Sequence, residues 1–107
     1  MTALPATAFK ILTADEWIRF QADGRFEGSP DDRADGFIHL SAADQFQGTL
    51  ERHFAGQSGL VLAEVDLGAL GDSVRWEESR GGALFPHVYD GLPLSAVIAT
   101  KPVSTQA

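Results

Sequence analysis

Cysteine is absent from the 107-residue sequence, which excludes disulfide bonds, thiolate nucleophiles and zinc sites with sulfur ligands. A domain that needs no disulfide suits a reducing compartment, and we therefore expect a cytoplasmic location. No stretch approaches about 18 consecutive apolar residues, so the sequence predicts no membrane span and no membrane partner. The first twelve residues also lack the basic start and the long apolar run of a secretory signal.

Basic residues are scarce as well. The sequence has 8 Lys and Arg against 15 Asp and Glu, which gives a formal net charge of -7. A surface of that sign repels phosphate backbones, so we expect no general nucleic-acid binding. A single nucleotide is still compatible with this charge, because a few well-placed donors can hold one phosphate. The usual sequence motifs of dinucleotide folds, P-loop enzymes, α/β-hydrolases and zinc proteases are missing too.

The chain length predicts one domain over residues 1–107. Its core is expected at about 8–103, with loose ends at 1–7 and 104–107. Hydrophobic residues make up 44% of the sequence, an ordinary value for a globular domain, so disorder is expected only at the two ends.

Six short strands and two helices follow from the pattern of apolar residues. Alternating or continuous apolar stretches predict strands, and apolar residues at helical spacing predict helices. The predicted strands are 8–12, 36–41, 60–67 (apolar enough to be central in a sheet), 74–79, 83–89 and 94–103, and the predicted helices are 42–55 and the segment from a capping box at 13–16 to Gly24. Helices fall in the first half and strands in the second, which favours an α+β architecture over a doubly wound parallel sheet.

Two local features add to this scheme. Residues 25–35 are expected to form a long loop, in which Asp31, Asp32 and Asp35 make turns and do not bind a metal. Pro86 cannot donate a hydrogen bond to a neighbouring strand. The strand that contains it is therefore expected at a sheet edge or at a bulge.

The stretch "FIHLS", residues 37–41, is the first candidate for a functional site. Side chains of a strand alternate between its two faces, so Phe37, His39 and Ser41 share one face and Ile38 and Leu40 share the other. If the aliphatic face meets the core, His39 and Ser41 form a polar pair on a rigid element. Such a pair is typical of a site that must be held in a fixed geometry.

A structural interpretation of the same residues stays open. Ser41 precedes a predicted helix and Asp44 lies three residues further on, so Ser41 is also a candidate N-cap. His39 is also compatible with a buried histidine that bonds a backbone carbonyl. His53, on the predicted helix 42–55, is expected at the surface.

The stretch "SRGGALFPHVYDG", residues 79–91, is the second candidate. Arg80 lies beside Gly81 and Gly82, which let backbone N–H groups approach an anion closely. The structural alternative for these three residues is a hairpin turn.

Three further candidate side chains lie in or next to this stretch. His87 and Tyr89 share one face of an extended segment, and Tyr89 is alternatively an amphipathic aromatic at a sheet edge. Glu77 is a candidate general base or a partner that orients an imidazole, and alternatively a solvated strand residue.

The segments "ADGFIHLSAADQ", "TLERHFAGQ", "LVLAEVD" and "RWEESRGGALFPHVYDGLPLSAV" together resemble the DUF952 family of small bacterial proteins. The resemblance runs from about residue 9 to residue 97. It implies a fold similar to that of the ADP-ribosyltransferases, an α+β domain with a small, mixed and split sheet around an NAD-binding cleft.

The resemblance also implies roles for individual residues. His39-Leu40-Ser41 matches a motif of His, any residue, then Ser or Thr, in which the histidine contacts a ribose hydroxyl of NAD. The hydroxyl residue assists at the nicotinamide side. Leu40 departs from the poly(ADP-ribose) polymerase type, which has glycine there. In that superfamily a tyrosine stacks on nicotinamide and a glutamate polarises the ribose, and Tyr89 and Glu77 are candidates by their chemistry alone.

Four functions are compatible with these observations. The first is an ADP-ribosyltransferase-like enzyme with NAD or an ADP-ribose-like ligand as substrate and no metal. In it His39 and Ser41 position the ribose, Glu77 stabilises the cation, and Arg80 with its glycines takes a phosphate. The second is a non-catalytic module that binds a nucleotide or a protein. The sequence does not identify a protein partner.

The third function is a two-histidine phosphoesterase, whose second motif fails here because Tyr89 replaces a Ser or Thr after His87. The fourth is a stable domain whose histidines serve only packing. Wide separation of His39 and His87, or burial of both against backbone groups, would favour that last interpretation.

Overall fold

The computed structural model describes residues 4–104, except for the side chain of Arg80. Within that range the chain forms three α-helices and eight strands. The helices are α1 (Ala14–Asp23), α2 (Pro30–Asp35) and α3 (Phe46–His53), and the strands are β1 (Thr7–Leu12), β2 (Arg25–Phe26), β3 (Ile38–His39), β4 (Leu60–Asp66), β5 (Val74–Glu78), β6 (Leu84–Val88), β7 (Leu92–Pro93) and β8 (Val97–Val103). Short 3-10 segments occupy Leu67–Ser73, Arg80–Gly82 and Leu94–Ala96. The predicted α+β class is confirmed.

The strands form three separate sheets. Their orders are β1-β4-β8, β3-β6-β5 and β2-β7. All of these strand pairs are antiparallel, whereas a mixed sheet was expected. β4 is central, as its apolar sequence predicts. A backbone bridge between Phe9 and Ser41, with N···O distances of 2.7 and 2.8 Å, links the first sheet to the residues that follow β3.

Two apolar clusters stabilise the fold. The larger one contains Phe20, Leu40, Val65, Val88 and Leu92 among its buried members. The smaller one joins β1 and β4 to α3 through Ile11, Leu50, Leu60 and Leu62, and Phe9, Phe46 and Phe54 pack against it. Each fully buried side chain of this size contributes about 1.5–3 kcal/mol. Some side chains that belong to the smaller cluster or pack against it also line the pocket described below.

Helix α1 has the predicted capping box. The Thr13 hydroxyl accepts a hydrogen bond from the backbone N–H of Glu16, and the Glu16 carboxylate accepts one from the backbone N–H of Thr13. Gly24 ends the helix at a φ of 72°, a conformation that glycine adopts without the steric cost of a side chain.

The predicted loop at 25–35 is wrong, because this segment contains β2 and α2. Helix α2 begins with a second capping box, in which Ser29 and Asp32 exchange the same pair of hydrogen bonds. Pro30 follows at the first helical position, where its missing N–H costs nothing. The segment "SPDD" therefore carried a helix-start signal that its resemblance to turn residues obscured.

Other boundaries also differ from the predictions. The strand expected at 36–41 is regular only at Ile38–His39, and the helix expected at 42–55 spans Phe46–His53. Ser41 is not an N-cap, since the residue before α3 is Gln45. The Gln45 side chain accepts from the N–H of Ala42 and donates to the carbonyl of Leu84, which fixes the turn before α3.

The expectation that Pro86 marks an edge or a bulge is wrong for the strand as a whole. Its strand, β6, lies in the middle of the β3-β6-β5 sheet. The backbone N–H of Leu40 donates to the carbonyl of Pro86 at 3.0 Å, but Pro86 has no N–H with which to return the bond. The ladder with β3 stops there, which explains how a central strand tolerates a proline.

Candidate functional site

His39 and His87 lie directly opposite each other on the neighbouring strands β3 and β6. Their ring centroids are 5.7 Å apart, and both side chains line one pocket of about 360 Å³. The ring of Phe37 stacks on His87 at 4.0 Å and contacts His39 at 4.7 Å. Neither the wide separation nor the backbone partners of the packing interpretation are present at these two side chains.

A carboxylate lies beside each ring nitrogen of His39. Nδ1 is 2.6 Å from Oδ1 of Asp32, and Nε2 is 2.9 Å from Oδ2 of Asp35. A neutral imidazole has only one N–H, so both contacts are hydrogen bonds only when the ring is protonated on both nitrogens. The two carboxylates hold the imidazole in one orientation, with Nε2 beside Asp35, which lines the pocket.

Asp32 fixes this arrangement from within the protein. Its carboxylate is 2% exposed and accepts hydrogen bonds from four groups: Nζ of Lys10, the backbone N–H of Ser29, and the backbone N–H and Nδ1 of His39. Lys10 is also buried, lies 2.8 Å from the carboxylate and donates to the carbonyl of His39. Burial alone would raise the pKa of Asp32. The hydrogen bond from His39 and the charge of Lys10 outweigh burial and hold that pKa well below its usual range.

A second carboxylate holds His87. Oε1 of Glu77, on β5, is 2.7 Å from Nδ1 of His87, and the same oxygen accepts a hydrogen bond from the Tyr89 hydroxyl at 2.7 Å. The guanidinium of Arg75 lies over the Tyr89 ring at 4.8 Å. The hydrogen bond from Tyr89, followed by the one from His87, lowers the pKa of Glu77. The same bond to Glu77 raises the pKa of Tyr89.

Ser41 lines the pocket with the two histidines. Its hydroxyl is 3.0 Å from the hydroxyl of Thr49 on α3, and its backbone is held by the bridge to Phe9. Ser41 is buried, so its hydroxyl is positioned by the fold.

The pocket has one acidic side and one apolar side. The acidic side has three aspartates, Asp31, Asp32 and Asp35, against one lysine, Lys10. Residues of the apolar side are Phe9, Ile11, Leu40, Phe54 and Phe85, and the exposed His53 lies at its rim. A ligand that matches this lining combines hydroxyl or cationic groups with an apolar ring.

The remaining candidate residues are further from the pocket. Glu77 and Tyr89 are not among its lining residues, and Glu77 lies behind His87 as the partner that orients it. Gly81 and Gly82 form a turn with φ of 66° and 78°, next to the lining residue Ser79. The side chain of Arg80 is outside the described part of the chain.

Comparison with known proteins places the chain in a family. Residues 11–100 match the family model described as "Protein of unknown function (DUF952)". The chain belongs to the DUF952 family. This DUF952 protein is 48% identical to protein CC0527 from Caulobacter crescentus, whose crystal structure superposes with a TM-score of 0.90 over 94% of this chain and 89% of that one. The solution NMR structure of CC0527 gives a TM-score of 0.84 over 96% and 89%. No curated protein matches the chain.

Sequence reasoning missed three site residues of this DUF952 protein: Lys10, Asp32 and Asp35. The composition around the two aspartates predicts turns. The capping box at 29–32 was a usable signal for α2, which carries both aspartates toward His39. No local signal marked Lys10, because its partner is 22 residues away in the sequence.

Proposed function

We propose that this DUF952 protein binds the ribosyl part of an NAD-type nucleotide and acts as an ADP-ribosyltransferase-like enzyme. One observation carries the proposal: His39 and His87 face each other across β3 and β6 in one pocket, and each has its Nδ1 held by a carboxylate. Two oriented imidazoles at one pocket are suited to position a hydroxyl-rich ligand and to move a proton.

The size and polarity of the pocket fit a ribosyl group with an attached ring. Ligand pockets commonly measure roughly 300–1,000 Å³, so a pocket of about 360 Å³ holds part of a dinucleotide and leaves the rest outside. Nε2 of His39 and the Ser41 hydroxyl would contact ribose hydroxyls. The aromatic side chains Phe54 and Phe85 would pack against the ring.

The acidic side suits the charge that develops in this chemistry. When the glycosidic bond breaks, its electron pair leaves with the nicotinamide nitrogen and the ribose carbon becomes cationic. Asp31 and Asp35 supply negative charge that stabilises this state. An acceptor hydroxyl, such as that of water, then bonds to the ribose carbon. His87 takes its proton, with Glu77 holding the imidazole in place.

Thermal unfolding with NAD, ADP-ribose and nicotinamide tests the proposal. A ligand at about 100 times its Kd should add roughly 2.7 kcal/mol to the free energy of unfolding. The shift should disappear in His39→Ala and persist in Asp72→Asn, an exposed substitution outside the pocket lining. If none of the three compounds shifts the wild-type transition, the proposed function is wrong.

Two other candidate functions predict different experimental results. A non-catalytic module predicts binding without nicotinamide release, and release that is lost in His39→Ala excludes it. A two-histidine phosphoesterase shares the histidine pair and predicts hydrolysis of a cyclic phosphodiester. The acidic side disfavours this reaction, because the one lysine of the pocket is already paired with Asp32.

The proposal includes a cytoplasmic location, which the lack of cysteine supports. Among the described residues, no helix is long and apolar enough to cross a membrane. A small-molecule nucleotide is the proposed partner.

A further inference from the structure

We propose that Asp35 makes the pocket select a ribose whose 2′ and 3′ hydroxyls are free and reject the same ribose when one of these two hydroxyls carries a phosphate ester. This inference rests on the proposed ribosyl site and specifies its ligand. The carboxylate of Asp35 lies 2.9 Å from Nε2 of His39, and both residues line the pocket.

The local fold brings the two residues together. Asp35 is the last residue of α2, and Gly36 follows it with a φ of 85°. That left-handed residue turns the chain into β3, so that His39, four residues after Asp35, returns to its carboxylate. An acidic side chain at the last position of a helix opposes the helix dipole. Helix stability therefore does not account for Asp35, whereas a role at the pocket does.

The two carboxylates of His39 differ in how firmly they are held. Asp32 is buried and accepts four hydrogen bonds, so it has no freedom to move away. The side chain of Asp35 is 55% exposed and contacts His39 through one oxygen. A ligand that reaches Nε2 therefore displaces Asp35 and leaves Asp32 in place. After a rotation about its side-chain bonds, Asp35 still borders the ligand.

A group that enters between Nε2 and the Asp35 carboxylate must satisfy both of them. A sugar hydroxyl can accept a hydrogen bond from Nε2–H and donate one to the carboxylate. A phosphate dianion has acceptors only, so it cannot donate to Asp35. It also meets the negative charges of Asp35 and Asp31, which outnumber the single positive charge of a doubly protonated His39, while Lys10 is paired with Asp32.

The repulsion between a phosphate and these carboxylates sets the size of this discrimination. Two like charges a few ångströms apart repel each other, and the repulsion is stronger near a protein surface than in bulk water. We expect a ribose phosphorylated on its 2′ or 3′ oxygen to bind about tenfold more weakly, which corresponds to about 1.4 kcal/mol.

Three isomers of adenosine monophosphate provide matched probes, with the phosphate on the 5′, 3′ or 2′ oxygen. They have the same composition and charge, and only the 5′ isomer leaves both ring hydroxyls free. Amide chemical shifts of the isotope-labelled protein would be followed in a titration with each isomer. The 5′ isomer should shift the signals of Gly36 and His39 and bind about tenfold more tightly than the other two.

Two variants test whether Asp35 causes this preference. Asp35→Asn keeps the shape and removes the charge, so the preference should fall to about twofold or less, without a lower melting temperature. Asp72→Asn removes the same charge from an exposed position outside the pocket lining and should keep the full preference.

Failure of the inference can be told apart from failure of the proposed function. Equal binding of the three isomers to the wild type, or an unchanged preference in Asp35→Asn, would overturn the role of Asp35 alone. Binding of ADP-ribose without binding of any isomer would also overturn it, because a nucleoside diol would not be the group held by Asp35 and His39. If neither ADP-ribose nor any isomer perturbs the pocket, the ribosyl site itself is wrong.

Discussion

At the scale of the residue, Asp32 links stability to the candidate site. It is the buried partner of Lys10 and the group that orients His39. Removal of one member of a buried ion pair leaves the other charge uncompensated and typically costs about 3–5 kcal/mol. We expect a loss of that order in Asp32→Asn from the free energy of unfolding, measured by chemical denaturation. The exposed neighbour Asp31 is the control, and similar losses in Asp31→Asn and Asp32→Asn would contradict the assignment.

The lowered pKa of Asp32 also predicts how the stability of the protein depends on pH. The folded-state pKa lies below the ordinary carboxyl value of 3.8. The stabilising contribution is therefore complete above that ordinary value and is lost as the pH falls below it toward the folded-state pKa. Denaturation curves between neutral pH and strong acid should show a steep loss in the wild type. The loss should be shallower in Asp32→Asn, and parallel curves for the two proteins would argue against this ionisation.

The pKa of Tyr89 reports on the carboxylate of Glu77, to which its hydroxyl donates a hydrogen bond. The sequence has one tyrosine, so an ultraviolet titration of the folded protein follows Tyr89 directly. Its hydrogen bond to Glu77 raises its pKa above the ordinary value of 10.0, because the carboxylate favours the protonated hydroxyl. Glu77→Gln should return the midpoint toward 10.0. An unshifted wild-type midpoint would mean that the Tyr89–Glu77–His87 chain does not form in solution.

At the scale of the element, α2 is the segment that holds the site together. It carries Asp32 and Asp35, and Ser29 caps its first turn. Ser29→Ala and Thr13→Ala each remove one cap and should each cost about 1 kcal/mol of stability. Only Ser29→Ala should also weaken binding of ADP-ribose, since α1 does not carry the two carboxylates that contact His39. Calorimetric titration measures the affinity of the two variants for ADP-ribose. Equal affinities would show that binding does not depend on α2.

Some elements of the fold can be predicted from the local sequence, and others cannot. The cap of α1, its end at Gly24 and the central position of β4 all depend on neighbouring residues, and they were predicted correctly. The segment 25–35 was assigned to a loop because Gly, Ser, Pro and Asp favour turns as well as helix starts. The missing N–H of Pro86 predicts an edge or a bulge for its strand, because the sequence does not show that the neighbouring strand β3 ends beside Pro86.

At the scale of the whole molecule, the site depends on contacts between distant parts of the sequence. The pair His39 and Ser41 was recognisable from strand alternation and from the family resemblance. The pairing of His39 with His87 required the register of β3 on β6, 48 residues apart at that position, which no local pattern encodes. Lys10 and Asp32 meet for the same reason, through the packing of β1 against α2 and β3.

The most direct measurement is a crystal structure of the protein grown with ADP-ribose. The central claim predicts a ribose in the pocket between β3 and α2, with one hydroxyl within hydrogen-bond distance of Nε2 of His39 and the ring facing Phe54 and Phe85. His87 should keep its contact with Glu77. A ribosyl group bound elsewhere on the protein, or a pocket without ligand at saturating concentration, would contradict the claim.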